Sequence, residues 1–173
     1  MPMERTTKVI LGIIIFGAIV PTAIILPLTS RQEHEAQHIA GIRDYKAGRY
    51  DLAIRELDVY LKSHPLVLRK HMGLMADTPD YAEKYLGFAL IKQKRYAEAA
   101  DAFRIYAHCS DAETGNYLLG NALLKAGKNT EAKKAFQQVI EEQQQNASSR
   151  KSYHLSDLSR DKIKEIDQLN GKQ

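Results

Sequence analysis

The hydrophobic and polar positions beyond residue 30 repeat with the period of an α-helix. Several segments place apolar residues three or four positions apart, and no segment there alternates with the two-residue period of a half-buried strand. The pattern therefore predicts an all-α fold for this part of the chain.

Residues 9–28 depart from this pattern because they are apolar almost throughout and carry no charged side chain. A helix of this length would measure about 30 Å, which is the thickness of the bilayer hydrocarbon. Pro21 and Pro27 would bend such a helix but are tolerated inside membranes. We predict an uncleaved transmembrane helix at residues 9–28, preceded by an N-terminal tail at residues 1–8. A cleaved signal peptide and a buried core helix are the alternatives.

The charges on either side of the apolar segment give its orientation. Arg5, Lys8 and the amino terminus precede it, whereas Arg31 follows it and no further cation comes before Arg43. Lys and Arg are enriched on the cytoplasmic side of membrane spans. We therefore predict a single-pass protein of the bacterial inner membrane, with its C-terminal domain on the periplasmic side.

An internal repeat appears when the sequence is compared with itself at an offset of 33 residues. The offset relates a Gly, an Ala and a Phe in two stretches: Gly87, Ala99 and Phe103 recur as Gly120, Ala132 and Phe136. An earlier copy contains Gly41 and Ala53, but Gly41 lies 46 residues before Gly87. The excess falls in residues 66–79, which we interpret as an insertion.

This pattern of small and aromatic residues resembles the tetratricopeptide repeat (TPR), a helix-turn-helix unit of about 34 residues. The resemblance implies a TPR-like domain at residues 31–145, with repeats at about 33–65, 80–111 and 113–145. It also implies that the small residues let the two helices of a repeat approach closely, and that the Phe residues fill the space between repeats.

Residues 146–173 are predicted to form a linker and a helix that caps the solenoid, because a bare terminal repeat would expose apolar surface. The positions that follow helical spacing there are Leu155, Leu158, Lys162, Ile166 and Leu169. The fold expected for the chain is thus one N-terminal transmembrane helix followed by a short all-α solenoid with a capping helix.

The resemblance implies that a partner protein binds in a concave groove lined by the first helix of each repeat. The groove positions of the family fall on three sets of residues. They are His38, Ile42, Tyr45 and Lys46; Tyr81, Lys84, Phe88, Ile91 and Lys92; and Tyr117, Asn121, Leu124 and Lys125. Aromatic side chains beside recurring Lys residues suit a peptide with apolar anchors and acidic groups. The alternative is that the aromatic residues only pack against the neighbouring repeat.

Charge and cysteine content exclude several other classes of protein. The 25 Lys and Arg residues and 21 Asp and Glu residues are interspersed, and the net charge is only +4, so we expect no nucleic-acid partner. Cys109 is the only cysteine, which excludes a disulfide framework and a four-cysteine zinc site. We expect no cofactor.

Residues 34–38 read His-Glu-Ala-Gln-His, which matches the zinc-binding pattern of metallopeptidases. On a helix, His34 and His38 would lie one turn apart on one face, and Glu35 could serve as the general base. Such an enzyme needs a third ligand on another element, and no supporting motif supplies one. We therefore interpret these residues as a solvated helix face, with metal binding by His34 and His38 as the alternative.

The function that these features predict is a membrane-tethered scaffold or assembly factor, and not an enzyme. Its partners would be another protein, within a membrane-associated complex, and the lipid bilayer through residues 9–28. A zinc metallopeptidase that uses His34, Glu35 and His38 is one alternative. A small structural subunit of a membrane complex, bound mainly through its span, is another.

Overall fold

The computed structural model describes residues 36–64, 81–145 and 153–170, which form seven helices. They are α1 (36–46), α2 (Tyr50–Ser63), α3 (Ala82–Lys92), α4 (Tyr96–Cys109), α5 (Ala112–Lys125), α6 (Asn129–Gln145) and α7 (Tyr153–Asn170). Strands are absent from these described ranges, so the prediction of an all-α fold is confirmed there.

Four predicted segments lie outside the described residues: the tail at 1–8, the span at 9–28, the insertion at 66–79 and the linker that begins at residue 146. The chain divides into the units Met1–Gln37 and His38–Gln173, and the helix packing lies within the second unit. Among the helices within the described ranges, none is both long and apolar enough to cross a membrane. The transmembrane helix therefore stays a prediction.

The first six helices form three pairs, each joined by a three-residue turn with the same backbone geometry. The middle residue of each turn has a positive φ: 77° at Gly48, 60° at Lys94 and 76° at Gly127. Glycine adopts this left-handed conformation without penalty, whereas Lys94 does so at a cost of about 1 kcal/mol. Because the three turns share one conformation, the second helix of each pair folds back in the same direction.

The same backbone hydrogen bond closes all three turns. The N–H groups of Arg49, Arg95 and Lys128 each donate to a carbonyl in the last turn of the preceding helix, over 2.9 Å in every case. This is the six-residue bond of a Schellman motif, which satisfies a carbonyl that the helix end would otherwise leave unbonded.

Within each pair, a glycine of the first helix lies against a large side chain of the second. A Cβ atom added to Gly87 would lie 2.5 Å from the Phe103 ring, and one added to Gly120 would lie 2.6 Å from the Phe136 ring. Gly41 stands in the same relation to Leu57, at 2.6 Å. The missing Cβ atoms therefore set how closely the two helices of a pair approach.

Successive helices pack on each other along the chain. Among the described residues, their buried side chains form a larger cluster that contains Phe103, Phe136, Ala99 and Ala132, and a smaller cluster at Leu57, Tyr60 and Ala82. Consecutive pairs approach closely at Gly115, where an added Cβ would meet the backbone of Ala107. The solenoid is thus built from small residues both within and between its helix pairs.

Helix α7 packs on α6 and also on α5, at the C-terminal end of the solenoid. Ser156, Ser159 and Ile166 are fully buried on this helix, whereas Leu169 is 49% exposed. The two serines lack the bulk of leucine, so their side of α7 lies closest to the solenoid. Of the residues at the predicted helical spacing, Ile166 is fully buried, and Leu155 and Leu158 are half-buried.

The glycine contacts predict a ranking of stability losses. Gly115→Ala should lower the free energy of unfolding by about 3 kcal/mol, because the added methyl group would clash with backbone atoms of Ala107, which cannot rotate away as a side chain can. Gly120→Ala should cost about 1–2 kcal/mol, because the Phe136 ring can shift. Gly127→Asn should be nearly neutral, since no atom lies within 4 Å and Asn tolerates positive φ. Urea unfolding of the three variants measures the ranking, and equal losses at Gly115 and Gly127 would contradict it.

Candidate functional site

The predicted binding residues lie on α1, α3 and α5, apart from Tyr81, which directly precedes α3. We call this set of residues the first-helix face. Lys46, Lys92 and Lys125 are exposed, and each ends the first helix of its pair. Tyr81 is 37% exposed. The other members are half-buried: His38, Ile42, Tyr45, Lys84, Phe88, Ile91, Tyr117, Asn121 and Leu124.

Aromatic rings connect the first and second helix pairs. The Tyr45 ring centroid lies 5.3 Å from that of Tyr85, 6.1 Å from that of Phe88 and 5.9 Å from that of Tyr50. Burial raises the pKa of the Tyr45 hydroxyl, and its neighbours Tyr50 and Tyr85 raise it further. Phe88 in turn lies 5.5 Å from Phe103 in the core. These rings are therefore held rigidly, and part of their surface already packs between repeats.

Lys84 is held between two aromatic rings of the second helix pair. Its Nζ lies 5.4 Å from the centroid of Tyr81 and 5.5 Å from that of Tyr106. Cation–π contacts of this kind stabilise the charged side chain by about 0.5–1 kcal/mol each. Burial, together with the nearby Asp111 and Tyr81, raises the pKa of Tyr106 to about 12, so this ring stays neutral. The result is a fixed ammonium group beside the exposed ring of Tyr81.

The third helix pair adds the Asn121 amide and the Lys125 ammonium group to the first-helix face. The Asn121 side-chain amide donates to the backbone carbonyl of Tyr117 over 2.8 Å, which uses one of its two N–H groups and fixes its orientation. The Tyr117 ring lies 5.9 Å from Phe136. Lys125 Nζ lies 5.9 Å from the ring of Tyr96, at the start of α4. Like Lys84, this lysine is oriented by an aromatic neighbour.

The possible zinc motif is described only in part, since His34 and Glu35 lie outside the described residues. His38 stacks on Tyr60 at 4.9 Å, and Tyr60 stacks on His64 at 5.0 Å. Within the described part of the chain, no group of three or more metal-ligating side chains could hold an ion. His38 thus has a packing role between α1 and α2.

A groove on the second-helix side was not predicted from the sequence. A groove of about 510 Å³ lies between α2 and α4, with Leu86 and Leu90 of α3 among the residues that line it. Its rim is charged, and Arg95 makes a bidentate ion pair with Glu98 at 2.8 and 2.6 Å. This pairing raises the pKa of Arg95 and lowers that of Glu98. The only sequence signal for this groove is the presence of apolar residues such as Ile105 on the second helices. These residues do not follow a regular spacing that would predict a groove.

A second, more polar groove of about 470 Å³ lies between α4 and α6. Asn116 Nδ2 donates to Glu142 Oε1 over 2.9 Å across the α5–α6 contact. Burial raises the pKa of Glu142, the hydrogen bond from Asn116 opposes the shift, and the charges of Glu113, Asp111 and Glu141 add to it. The Oε2 atom of Glu142 is buried without a hydrogen-bond partner among the described residues.

The Glu142 carboxylate should therefore destabilise the fold at neutral pH. Its pKa in the folded protein is above the ordinary 4.5, so the folded state binds a proton more readily than the unfolded chain. Stability consequently falls as the pH rises through this raised pKa. Glu142→Gln keeps an oxygen for Asn116 and removes the charge. It should raise the free energy of unfolding at pH 7, because the variant no longer places this charge in a buried site.

The gain from Glu142→Gln should shrink as the pH falls towards 4, because the wild-type carboxyl is then protonated as well. Thermal unfolding of both proteins between pH 4 and 7 measures this dependence. Glu131→Gln is the matched control, since Glu131 is exposed on the same helix and is not among the charges that act on Glu142. It should change stability little. A stability difference that does not vary with pH would contradict the assignment.

Comparison of this chain with known protein families gives two matches. Models of the tetratricopeptide repeat match residues 40–113 and residues 116–145. Together they span more than half of the chain and include most of the three helix pairs. A comparison with curated proteins gives no match.

Proposed function

Because the chain is a tetratricopeptide repeat protein, we propose that it is a membrane-tethered scaffold that binds another protein on its first-helix face. Binding rather than catalysis is the proposed role. The observation that carries the proposal is the pairing of oriented cations with partly exposed rings along this face. Lys84 beside Tyr81 is the clearest example.

The proposed ligand is an extended segment of a partner protein that offers apolar anchors and acidic side chains. Lys46, Lys92 and Lys125 occupy the same place at the end of each first helix and would attract carboxylates. The exposed part of Tyr81 and the half-buried rings supply apolar contacts, and aromatic residues of this kind commonly dominate binding energy. Since the rings are already packed, little side-chain freedom would be lost on binding.

The proposed tether is the apolar segment at residues 9–28. It would hold the repeat domain at the periplasmic face of the bacterial inner membrane, as the flanking charges favour. Tethering confines the scaffold and a membrane-bound partner to one surface and so raises their effective concentration. A modest affinity on the first-helix face would then suffice for assembly.

Charge reversal on the first-helix face should weaken capture of the partner. The full chain, solubilised from its native membranes, should retain a specific protein that is lost in the Lys92→Glu/Lys125→Glu variant. Each reversed contact should lower affinity about tenfold, which corresponds to about 1.4 kcal/mol per charge pair. Quantitative mass spectrometry of the retained proteins gives the readout.

A matched control separates a local effect from one of net charge. Lys134 is exposed on α6, a second helix, and Lys134→Glu should leave capture unchanged. Tyr81→Ala tests the apolar part of the face and should lower retention of the same protein. If all of these variants kept every partner of the wild type, the first-helix face would not be the binding site.

A labelling experiment tests on which side of the membrane the repeat domain lies. Cys109 is the only cysteine, so a Cys109→Ala/Gln144→Cys variant carries a single thiol at an exposed position near the end of α6. A thiol reagent that crosses the outer but not the inner membrane should label this site in intact bacterial cells. Labelling only after the inner membrane is opened would place the domain in the cytoplasm and contradict the proposal.

A further inference from the structure

The first helix pair, α1 with α2, exposes three large aliphatic side chains. Ile39 is 63% exposed, and Leu52 and Val59 are 36% and 44% exposed. Leu52 and Val59 are seven residues apart, so they lie on the same side of α2. The third helix pair has no large hydrophobic side chain of this exposure among its described residues. The exposure is thus not a general feature of the repeat.

The internal repeat shows which way these side chains point. An offset of 46 residues places Ile39 on Tyr85 and Val59 on Ile105. Tyr85 contacts Tyr45 of the preceding pair, and Ile105 lines the groove between α2 and α4. Both positions therefore face the preceding helix pair. In the first pair the same positions face the N-terminal end of the described solenoid.

Both helices place charged side chains among these aliphatic residues. Arg43 lies one helix turn after Ile39, and its side chain is 71% exposed. On α2, the Arg55 side chain is 66% exposed, and its Nη2 lies 3.7 Å from Oε1 of Glu56, whose side chain is 29% exposed. The surface formed by these residues is here called the N-terminal end face: Ile39, Arg43, Leu52, Arg55, Glu56 and Val59.

The first helix pair carries a small excess of positive charge. Its charged residues are five cations and four anions: Arg43, Lys46, Arg49, Arg55 and Lys62, and Asp44, Asp51, Glu56 and Asp58. Asp44 accepts a hydrogen bond from Arg49 over 2.6 Å and also lies 3.9 Å from Arg43, so one carboxylate faces two guanidinium groups. On the N-terminal end face itself, two arginines stand against Glu56. The face therefore favours an anionic surface over a cationic one.

The position of this face along the chain brings it near the proposed membrane tether. Residues 29–35 alone separate the apolar segment at 9–28 from the start of α1 at residue 36. Fully extended, this connection spans at most about 28 Å. Ile39 lies in the first turn of α1. A bilayer that holds the apolar segment is therefore always within reach of the face, whereas a soluble partner has to be bound from solution.

The size of the face also favours a bilayer over a protein. Its apolar part consists of three side chains, whereas a stable protein interface takes about 20–30 residues from each partner. Arginines beside aliphatic side chains are typical of surfaces that lie on membranes, since the guanidinium reaches a phosphate while its apolar stem stays with the aliphatic groups. Tethering makes a weak contact sufficient, because the lipid is present at a high effective concentration.

We propose that the N-terminal end face docks on the surface of an anionic lipid bilayer. Ile39, Leu52 and Val59 enter the interfacial region, and Arg43 and Arg55 bind lipid phosphates. The inference rests on the proposed tether at residues 9–28. It does not depend on partner binding at the first-helix face.

A fluorescent label at position 59 of the full chain tests the contact. The Cys109→Ala/Val59→Cys variant carries a single thiol and is reconstituted into vesicles of phosphatidylethanolamine and phosphatidylglycerol. Lipids with a nitroxide on the headgroup should quench this label at least about threefold more strongly than one at position 105, because only the first lies in the interfacial region. Cys109→Ala/Ile105→Cys is the matched control, since Ile105 is the equivalent residue of the second pair and is 46% exposed.

Charge reversal tests the role of the two arginines. Arg43→Glu/Arg55→Glu should reduce the quenching at position 59, because each lost cation weakens attraction to anionic lipid about fivefold. Arg104→Glu/Lys134→Glu makes the same change in net charge at exposed positions of α4 and α6 and should leave the quenching unchanged. Unchanged thermal unfolding, followed by circular dichroism, shows that the variants remain folded.

Flotation of the vesicles separates failure of this contact from failure of the proposed tether. A labelled chain that does not float with the vesicles would overturn the tether and the contact together. A chain that floats without quenching at position 59 would overturn the contact alone. Protection of that label from aqueous iodide would then show that a second copy or another protein surface covers the face. Equal quenching at positions 59 and 105 would also contradict docking through this face.

Discussion

The close contact between a glycine of one helix and a large side chain of the next is the constraint on which the rest of this structure depends. Gly87 meets Phe103 and Gly120 meets Phe136, and in each case a single added Cβ would lie within 2.6 Å of the ring. The contact fixes the separation of the two helices of a pair. It thereby also fixes the spacing of the first helices, on which the lysines and aromatic residues of the first-helix face are carried.

The turns between the paired helices give each helix pair the same geometry. Each pair turns back through the same left-handed residue and the same hydrogen bond of 2.9 Å. Because the pairs have the same geometry, residues at equivalent positions face equivalent directions. Lys46, Lys92 and Lys125 therefore recur at the end of each first helix. The repeat geometry thus accounts for the recurring lysines of the first-helix face.

Much of the fold could be predicted from the sequence, because the contacts that define it are made by rare residue types at fixed spacing. Gly120, Ala132 and Phe136 occur 33 residues after their counterparts, which indicates the repeat and its helix pairs. Lys94 shows no sign of a left-handed turn by its residue type, and only its alignment with Gly48 and Gly127 at the repeat offsets points to that conformation. The burial of Ser156 and Ser159 on α7 could not be predicted, because hydrophobicity alone does not show that small polar residues bring this helix close to its neighbours.

The surfaces were harder to predict than the core. Family positions indicate which residues occupy the first-helix face, but they do not show that Lys84 is held between Tyr81 and Tyr106. The grooves on the second-helix side lie between α2, α4 and α6, and no local sequence pattern indicates them.

Site-specific photocrosslinking in native membranes tests most directly the claim that the first-helix face binds a partner. A photoreactive residue would replace Lys92 or Lys125 on this face, and Arg104 or Lys134 on the second-helix side. Our expectation is that the first two positions capture the same protein and that the last two do not. Capture of one protein from the second-helix side alone would contradict it.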